Sequence, residues 1–153
     1  MPNNLENKRQ LFEQCNQLCQ TKIKTIQFQI EEISKALTSE TKSSAGDKHE
    51  TGRAMLQLER EKLGNQLAEQ QKVEDVLSRI QVDKTSETIG LGSLVYTSQA
   101  NYFIAISAGQ LTVDNCLFYA ISALTPIGKL LLGKQIGDEL VFNGKVIKIK
   151  QIF

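Results

Sequence analysis

Two carboxylates stand three residues apart at Asp47 and Glu50, directly after Gly46. If a helix begins here, this spacing puts both side chains on the same side of its first turn. One interpretation is a capping box, in which an Asp at the N-cap and a Glu three residues later satisfy free backbone N–H groups. The other is a functional pair of carboxylates, and the two residues by themselves leave both interpretations open.

Four further residues near this pair could take part in chemistry. His49 lies between the two acids and could supply a proton donor or a metal ligand. Lys42, Lys48 and Arg53 could contact the phosphate groups of a nucleic acid. Each of the four also has an ordinary explanation as a solvated surface residue.

The segment before the pair has the pattern of a long helix. No Gly or Pro occurs from Asn3 to Ala45, and apolar residues recur every three or four positions, which predicts a helix packed along a partner helix. The stripe consists of Phe12, Cys15, Cys19, Ile23, Ile26, Ile30, Ile33 and Leu37. Cys15 and Cys19 also have a metal-ligand spacing. We interpret them as small apolar residues of the stripe instead.

A second helical pattern follows, from about Asp47 to Val82. Its apolar face consists of Met55, Leu56, Leu63, Leu67, Val73, Leu77 and Ile80. The polar stretch 38–46 ends in Gly46, which can take the positive φ that reverses a chain. Residues 1–83 are therefore predicted to form an antiparallel helical hairpin, a coiled coil with an acidic tip near 38–50. At 1.5 Å per residue each arm would extend about 50 Å, so we expect the hairpin to project.

Residues 84–153 have a different composition, which predicts a second, β-rich domain. Strands are predicted at Leu94 to Thr97, Tyr102 to Ile106, Leu117 to Ile121, Glu139 to Phe142 and Lys145 to Ile152. Thr125 and Pro126 predict the N-cap and first position of a short helix that ends before Gly133. Asn143-Gly144 suits a tight hairpin turn. The predicted fold class is α+β.

The overall composition limits the possible environments and partners. With 18 basic and 17 acidic residues, no long-range field would draw the chain to nucleic acid or an anionic membrane. No apolar run approaches the ~20 residues of a membrane span, and the first residues lack the blocks of a secretory signal. Three scattered cysteines do not form a disulfide framework. We expect a cytoplasmic protein with free thiols and no membrane partner.

Two stretches carry a resemblance to a known family. Gly46-Asp47-Lys48-His49-Glu50 resembles the Gly-Asp-x-x-Glu signature of the Gre family of bacterial transcript-cleavage factors. The stretch from Thr125 to Glu139 resembles the family's Ser-Pro-x-x-x-x-Leu-x-Gly-Lys-x-x-Gly-Asp segment. The family's order, a coiled-coil hairpin followed by an FKBP-like domain, also matches the predicted order of elements over nearly the whole chain.

The resemblance implies a monomeric transcription elongation factor that binds bacterial RNA polymerase. The FKBP-like domain would dock through Leu124, Thr125, Pro126 and Ile127, while the hairpin enters the secondary channel of the polymerase. Asp47 and Glu50 would then share a Mg²⁺ of the polymerase active site and promote cleavage of backtracked RNA, meeting the nascent RNA 3′ end only indirectly. Two carboxylates make an incomplete Mg²⁺ site, and the polymerase would complete it. The resemblance therefore implies neither a complete active site in this chain nor a tightly bound cofactor.

Other functions remain open. The family usually continues the tip with Asn and a later Tyr, whereas this chain has Thr51, Gly52, Arg53 and Ala54. A secondary-channel regulator without cleavage activity is the first alternative. A prolyl isomerase would need an aromatic-lined pocket, and the tyrosines and phenylalanines of the strands are more simply interpreted as core residues. A coiled-coil adaptor is disfavoured because nine polar residues suffice to close an intramolecular hairpin.

Overall fold

The computed structural model describes residues 4–42 and 47–153, with the side chains of 40–42 and 47–49 outside that description. Two long helices come first, α1 (Asn4–Lys42, 39 residues) and α2 (Asp47–Ser78, 32 residues). Neither of them, nor any other helix in the described ranges, has the length and apolar character needed to cross a membrane. By its contacts the chain divides into two compact units. We call Cys19–Glu74 the hairpin unit, and Met1–Leu18 with Asp75–Phe153 the sheet unit.

In the hairpin unit the two helices run antiparallel, which confirms the predicted hairpin. Gln20 Nε2 of α1 donates to Glu74 Oε2 of α2 at 2.6 Å. The Cys19 thiol lies one residue earlier and donates to the carbonyl of Gln70 at 3.7 Å. Further along, Arg53 Nη1 donates to the carbonyl of Leu37 at 3.4 Å. The bond at Leu37 is thus later in α1 and earlier in α2 than the bonds at Cys19 and Gln20. An antiparallel pair of helices requires this order.

The apolar stripes of the hairpin unit are only partly buried. Cys19, Ile23, Ile26 and Leu63 are buried between the helices. Met55, which we predicted on the apolar face, is instead 69% exposed. Successive residues of a helix point about 100° apart, so Met55 turns outward where its neighbour Leu56 is half-buried.

The sheet unit contains a six-stranded mixed sheet and one short helix, α3 (Pro126–Leu131). The strands are β1 (Leu94–Thr97), β2 (Asn101–Ala105), β3 (Gly109–Val113), β4 (Cys116–Ser122), β5 (Glu139–Phe142) and β6 (Lys145–Ile152). Their spatial order is β3-β4-β2-β1-β6-β5. Only β2 and β4 pair in parallel, and the other neighbours are antiparallel. The predicted α+β class is confirmed.

Strand β3 was not among the predicted strands. It forms a hairpin with β4 through Asp114 and Asn115, both at positive φ (51° and 64°). Two successive positive φ values are typical of the primed turns that join adjacent antiparallel strands. The same geometry occurs at Asn143 and Gly144, where the sequence did predict the hairpin. Asp114-Asn115 lacks the glycine by which such a turn is usually recognised in a sequence.

Both faces of the sheet carry buried residues within the sheet unit. One face packs with α3 around a core of Ile89, Val95, Ile104, Ile127, Leu131, Leu140, Ile147, Ile149 and Ile152. The opposite face carries Phe103 and Phe118, both fully buried. The first turns of α1 approach this second face, because Tyr96 donates its hydroxyl to Asn4 Oδ1 at 2.9 Å. Gln14 Nε2 likewise donates to the carbonyl of Thr112 at 3.1 Å.

The start of the α1 stripe also differs from the prediction by one residue. Phe12 is only half-buried, whereas Leu11 beside it is fully buried. Periodicity alone fits either of two adjacent apolar residues. The packing of the sheet unit decides between them.

Candidate functional site

The predicted acidic tip lies at the start of α2. Asp47 is the first residue of this helix, and Glu50 lies in its first turn with an exposed side chain. The side chains of Asp47 and His49 lie outside the described residues, as do those of Lys42 and Lys48. The catalytic and metal-binding roles of Asp47 and Glu50, and the RNA contacts of Lys42 and Lys48, therefore stay predictions.

Arg53 is half-buried and bridges the two helices of the hairpin unit. Its Nη1 atom donates to the carbonyl of Leu37 on α1. The structure thus assigns Arg53 a part in closing the hairpin, while its predicted RNA contact stays a prediction.

The predicted Mg²⁺ role of the two tip carboxylates stays a prediction. Carboxylate oxygens are the ligands that Mg²⁺ prefers, but two of them cannot complete its octahedral shell. Among the side chains that the structure describes, no group of three or more His, Cys, Asp or Glu residues could hold a metal ion. The side chain of Glu50 is exposed in the first turn of α2.

The predicted docking residues lie on a tightly bonded turn, 122–128, which we call the capped turn. The carbonyl of Ser122 accepts from Thr125 N at 3.1 Å and from Thr125 Oγ1 at 2.7 Å. Thr125 Oγ1 in turn accepts from Gly128 N at 3.1 Å, which makes Thr125 the N-cap of α3. Pro126 occupies the first helical position, where its missing N–H costs nothing. The predicted cap and helix start are confirmed.

The predicted docking residues on the capped turn differ in their exposure to solvent. Leu124 is 80% exposed, and Pro126 is exposed beside it. Ile127 is only 9% exposed and belongs to the core under α3. Leu124 and Pro126 are therefore available to a partner, whereas Ile127 anchors the turn from below.

Gly128 is essential to the capped turn, and the sequence analysis did not single it out. A Cβ at this position would lie 2.3 Å from the carbonyl oxygen of Ser122 and 2.9 Å from Thr125 Oγ1. Any side chain would therefore displace the atoms that form the cap. The available signal was a glycine inside a short predicted helix, where it usually marks a close approach.

The four aromatic residues considered for an isomerase pocket lie on the paired strands β2 and β4. Phe103 and Phe118 are fully buried, as the sequence predicted for core residues. The rings of Tyr102 and Tyr119 are 6.2 Å apart on paired strands, and Tyr102 packs against the core. Burial raises the pKa of Tyr102, so its hydroxyl stays protonated at neutral pH. The aromatic-lined pocket of an isomerase is not built from these four residues.

Comparison with known proteins gives a likeness to a solved structure. No protein-family model matches the chain, and no curated protein matches it. The chain is similar to a solved structure described as that of the transcription factor Gfh1, with 23% sequence identity and a TM-score of 0.35. The match covers 90% of this chain and 92% of that chain.

Proposed function

We propose that this chain is a Gre-like transcription factor that docks on RNA polymerase and stimulates cleavage of backtracked RNA. The single observation that carries the proposal is the exposed Leu124 on the capped turn, directly before the stretch from Thr125 to Glu139 that resembles the Gre segment. A leucine with 80% of its surface in water contributes nothing to the chain's own core. Held on a rigid turn, it is suited to act as an apolar anchor for a partner.

The hairpin supports the second half of the proposal. With 39 and 32 residues, α1 and α2 are long enough to span about 50 Å at 1.5 Å per residue. Glu50 is exposed at the start of α2, and Asp47 precedes it by one turn. In this proposal the two carboxylates lend oxygen ligands to a Mg²⁺ that the polymerase holds, and the polymerase performs the hydrolysis.

Docking is tested with purified bacterial RNA polymerase and the Leu124→Ser variant. Loss of a central apolar anchor costs about 2 kcal/mol, so binding should weaken roughly thirtyfold. Leu117→Ser is the matched control, because Leu117 is a partly exposed leucine on β4 outside the capped turn. If both variants bind polymerase as tightly as the unaltered chain, Leu124 is not a docking residue.

Cleavage is tested on a stalled, backtracked elongation complex with Mg²⁺. The unaltered chain should shorten the transcript, and Asp47→Asn with Glu50→Gln should slow shortening by about 100-fold while polymerase binding is kept. Glu59→Gln is the control, because it removes another exposed carboxylate from α2. If the tip variant cleaves as fast as the control, the tip has no catalytic role.

A regulator that enters the channel without promoting cleavage is the second candidate. Two observations favour it: this chain has Thr51 and Gly52 where the family continues its tip differently, and Arg53 is bonded to Leu37 of α1. Polymerase binding by the unaltered chain without transcript shortening would select this candidate. No binding at all would remove both.

A further inference from the structure

A cavity of about 310 Å³ lies within the sheet unit, where the end of α2 leads into the first strand. Its lining has three basic residues and no acidic one. The lining consists of Lys8, Arg79, Gln81, Lys84, Thr85, Ser86, Thr88, Gly90, Leu91, Gly92 and Ser93. Four of these residues carry hydroxyl groups. The wall therefore offers mainly hydrogen-bond donors and positive charge.

Lys8 is the unusual member of this lining. It is only 2% exposed, although lysine is almost never fully buried without a counter-charge. Its Nζ donates to the carbonyl of Lys84 at 2.8 Å, the one hydrogen bond it makes to the residues that the structure describes. An ammonium has three N–H donors, so two remain for another acceptor. Burial lowers the pKa of Lys8, and the nearby Asp83 opposes this.

Two acidic residues near the cavity, Asp83 and Asp75, each form an ion pair with an arginine. Asp83 pairs with Arg9 at 2.7 Å, outside the lining. Asp75 pairs with Arg79 at 2.5 Å and neutralises that guanidinium. Lys84 is exposed and forms no ion pair among the described residues. Two ammonium groups, of Lys8 and Lys84, are thus left to attract an anion.

We propose that this cavity binds the phosphate group of a small phosphorylated molecule. A phosphate has several strong acceptor oxygens, which can accept hydrogen bonds from the ammonium groups of Lys8 and Lys84. The hydroxyls of Ser86 and Thr88 share a hydrogen bond at 3.3 Å, so one of the two still has its proton for the phosphate. The volume lies at the lower end of the range for ligand pockets, which suits a compact molecule. The inference goes beyond the proposed function and does not depend on it.

The test is a titration of the full chain, followed by the chemical shifts of its backbone amides. One arm uses inorganic phosphate, a second uses glycerol phosphate as a phosphate monoester, and a third uses sodium chloride at matched ionic strength. Saturable shifts confined to residues 84–93 and to Lys8 are expected in the phosphate arms only. Tighter binding of the monoester would identify an organic phosphate as the ligand, and equal binding would identify free phosphate.

Three variants make the test specific. Lys84→Gln should weaken phosphate binding about threefold, because its exposed charge is screened. Lys8→Met keeps a long apolar stem without the ammonium and should weaken binding at least tenfold, as for loss of a buried charged donor. Lys150→Gln, which removes an exposed lysine of β6, should change nothing.

The outcome does not depend on whether Lys8→Met folds, since Lys84 is exposed and its side chain is dispensable for packing. If neither phosphate arm produces saturable shifts at 84–93, the cavity is not a phosphate site. The same conclusion follows if Lys84→Gln and Lys150→Gln bind phosphate equally.

Discussion

Replacing Gly128 by Ala should destabilise the sheet unit and loosen the capped turn. The new Cβ would lie 2.3 Å from the carbonyl oxygen of Ser122, so the two must separate by about 1 Å to reach ordinary contact. That movement pulls apart the bonds that Ser122 and Gly128 make with Thr125, at 2.7 and 3.1 Å. Loss of an N-cap costs about 1 kcal/mol, and overpacking costs about 1–3 kcal/mol.

Helix propensity acts in the opposite direction, because Ala is favoured over Gly by about 1 kcal/mol inside a helix. The expected net loss in the free energy of unfolding is therefore about 1–3 kcal/mol. Urea unfolding followed by circular dichroism measures it, and polymerase binding measured on the same sample reports whether Leu124 is still presented. We expect binding to weaken along with stability.

Two other glycines serve as matched controls. Gly64 lies inside α2, and its Cβ would meet only the flexible end of Arg60 at 3.1 Å, so Gly64→Ala should stabilise by up to about 1 kcal/mol. A Cβ at Gly90 would have no neighbouring atom within 4 Å, so Gly90→Ala should leave the free energy of unfolding nearly unchanged. A Gly128→Ala protein as stable as the Gly64→Ala protein would refute the close approach at the capped turn.

The remaining predictions concern the cap and the thiols. Thr125→Ala should lose about 1 kcal/mol of stability and weaken polymerase binding, whereas Thr125→Ser keeps the hydroxyl and should restore both, as urea unfolding and binding would show. At pH 8 iodoacetamide should label the exposed Cys116, with the buried Cys15 and Cys19 reacting only after unfolding, and mass spectrometry would contradict this if it found either one labelled in the folded chain. Burial raises the pKa of Cys15 from 9.0 to about 12, so its contribution to stability is complete below pH 9 and is lost as pH rises toward 12. Cys15→Ala should remove that part of the fall in stability between pH 9 and 12, and an unchanged pH profile would contradict this.

The elements of this chain follow closely from its local sequence. The absence of Gly and Pro from Asn3 to Ala45 predicted the long helix α1. Thr125 and Pro126 predicted the start of α3. The Asn143-Gly144 turn located the β5–β6 hairpin. These signals are local, because capping bonds and φ preferences act between residues a few positions apart. Strand β3 was missed because its turn, Asp114-Asn115, gives a weaker version of the same signal.

The sequence predicted a docking role for the residues around Leu124, and that role stays a prediction. What the sequence did not predict is how these residues differ in exposure, because packing decides it. Leu124 points into solvent while Ile127, three residues later, enters the core. Gly128 matters because the Ser122 carbonyl approaches it, and that approach is a property of the folded turn.

Periodicity, turn residues and caps in the sequence determined which segments became helices and strands. The tertiary structure decided the parallel pairing of β2 with β4, the burial of Leu11 in place of Phe12, and the enclosure of Lys8 against the carbonyl of Lys84. The last of these joins residues 76 positions apart in the chain. Such contacts depend on the whole core packing at once, so no local pattern encodes them.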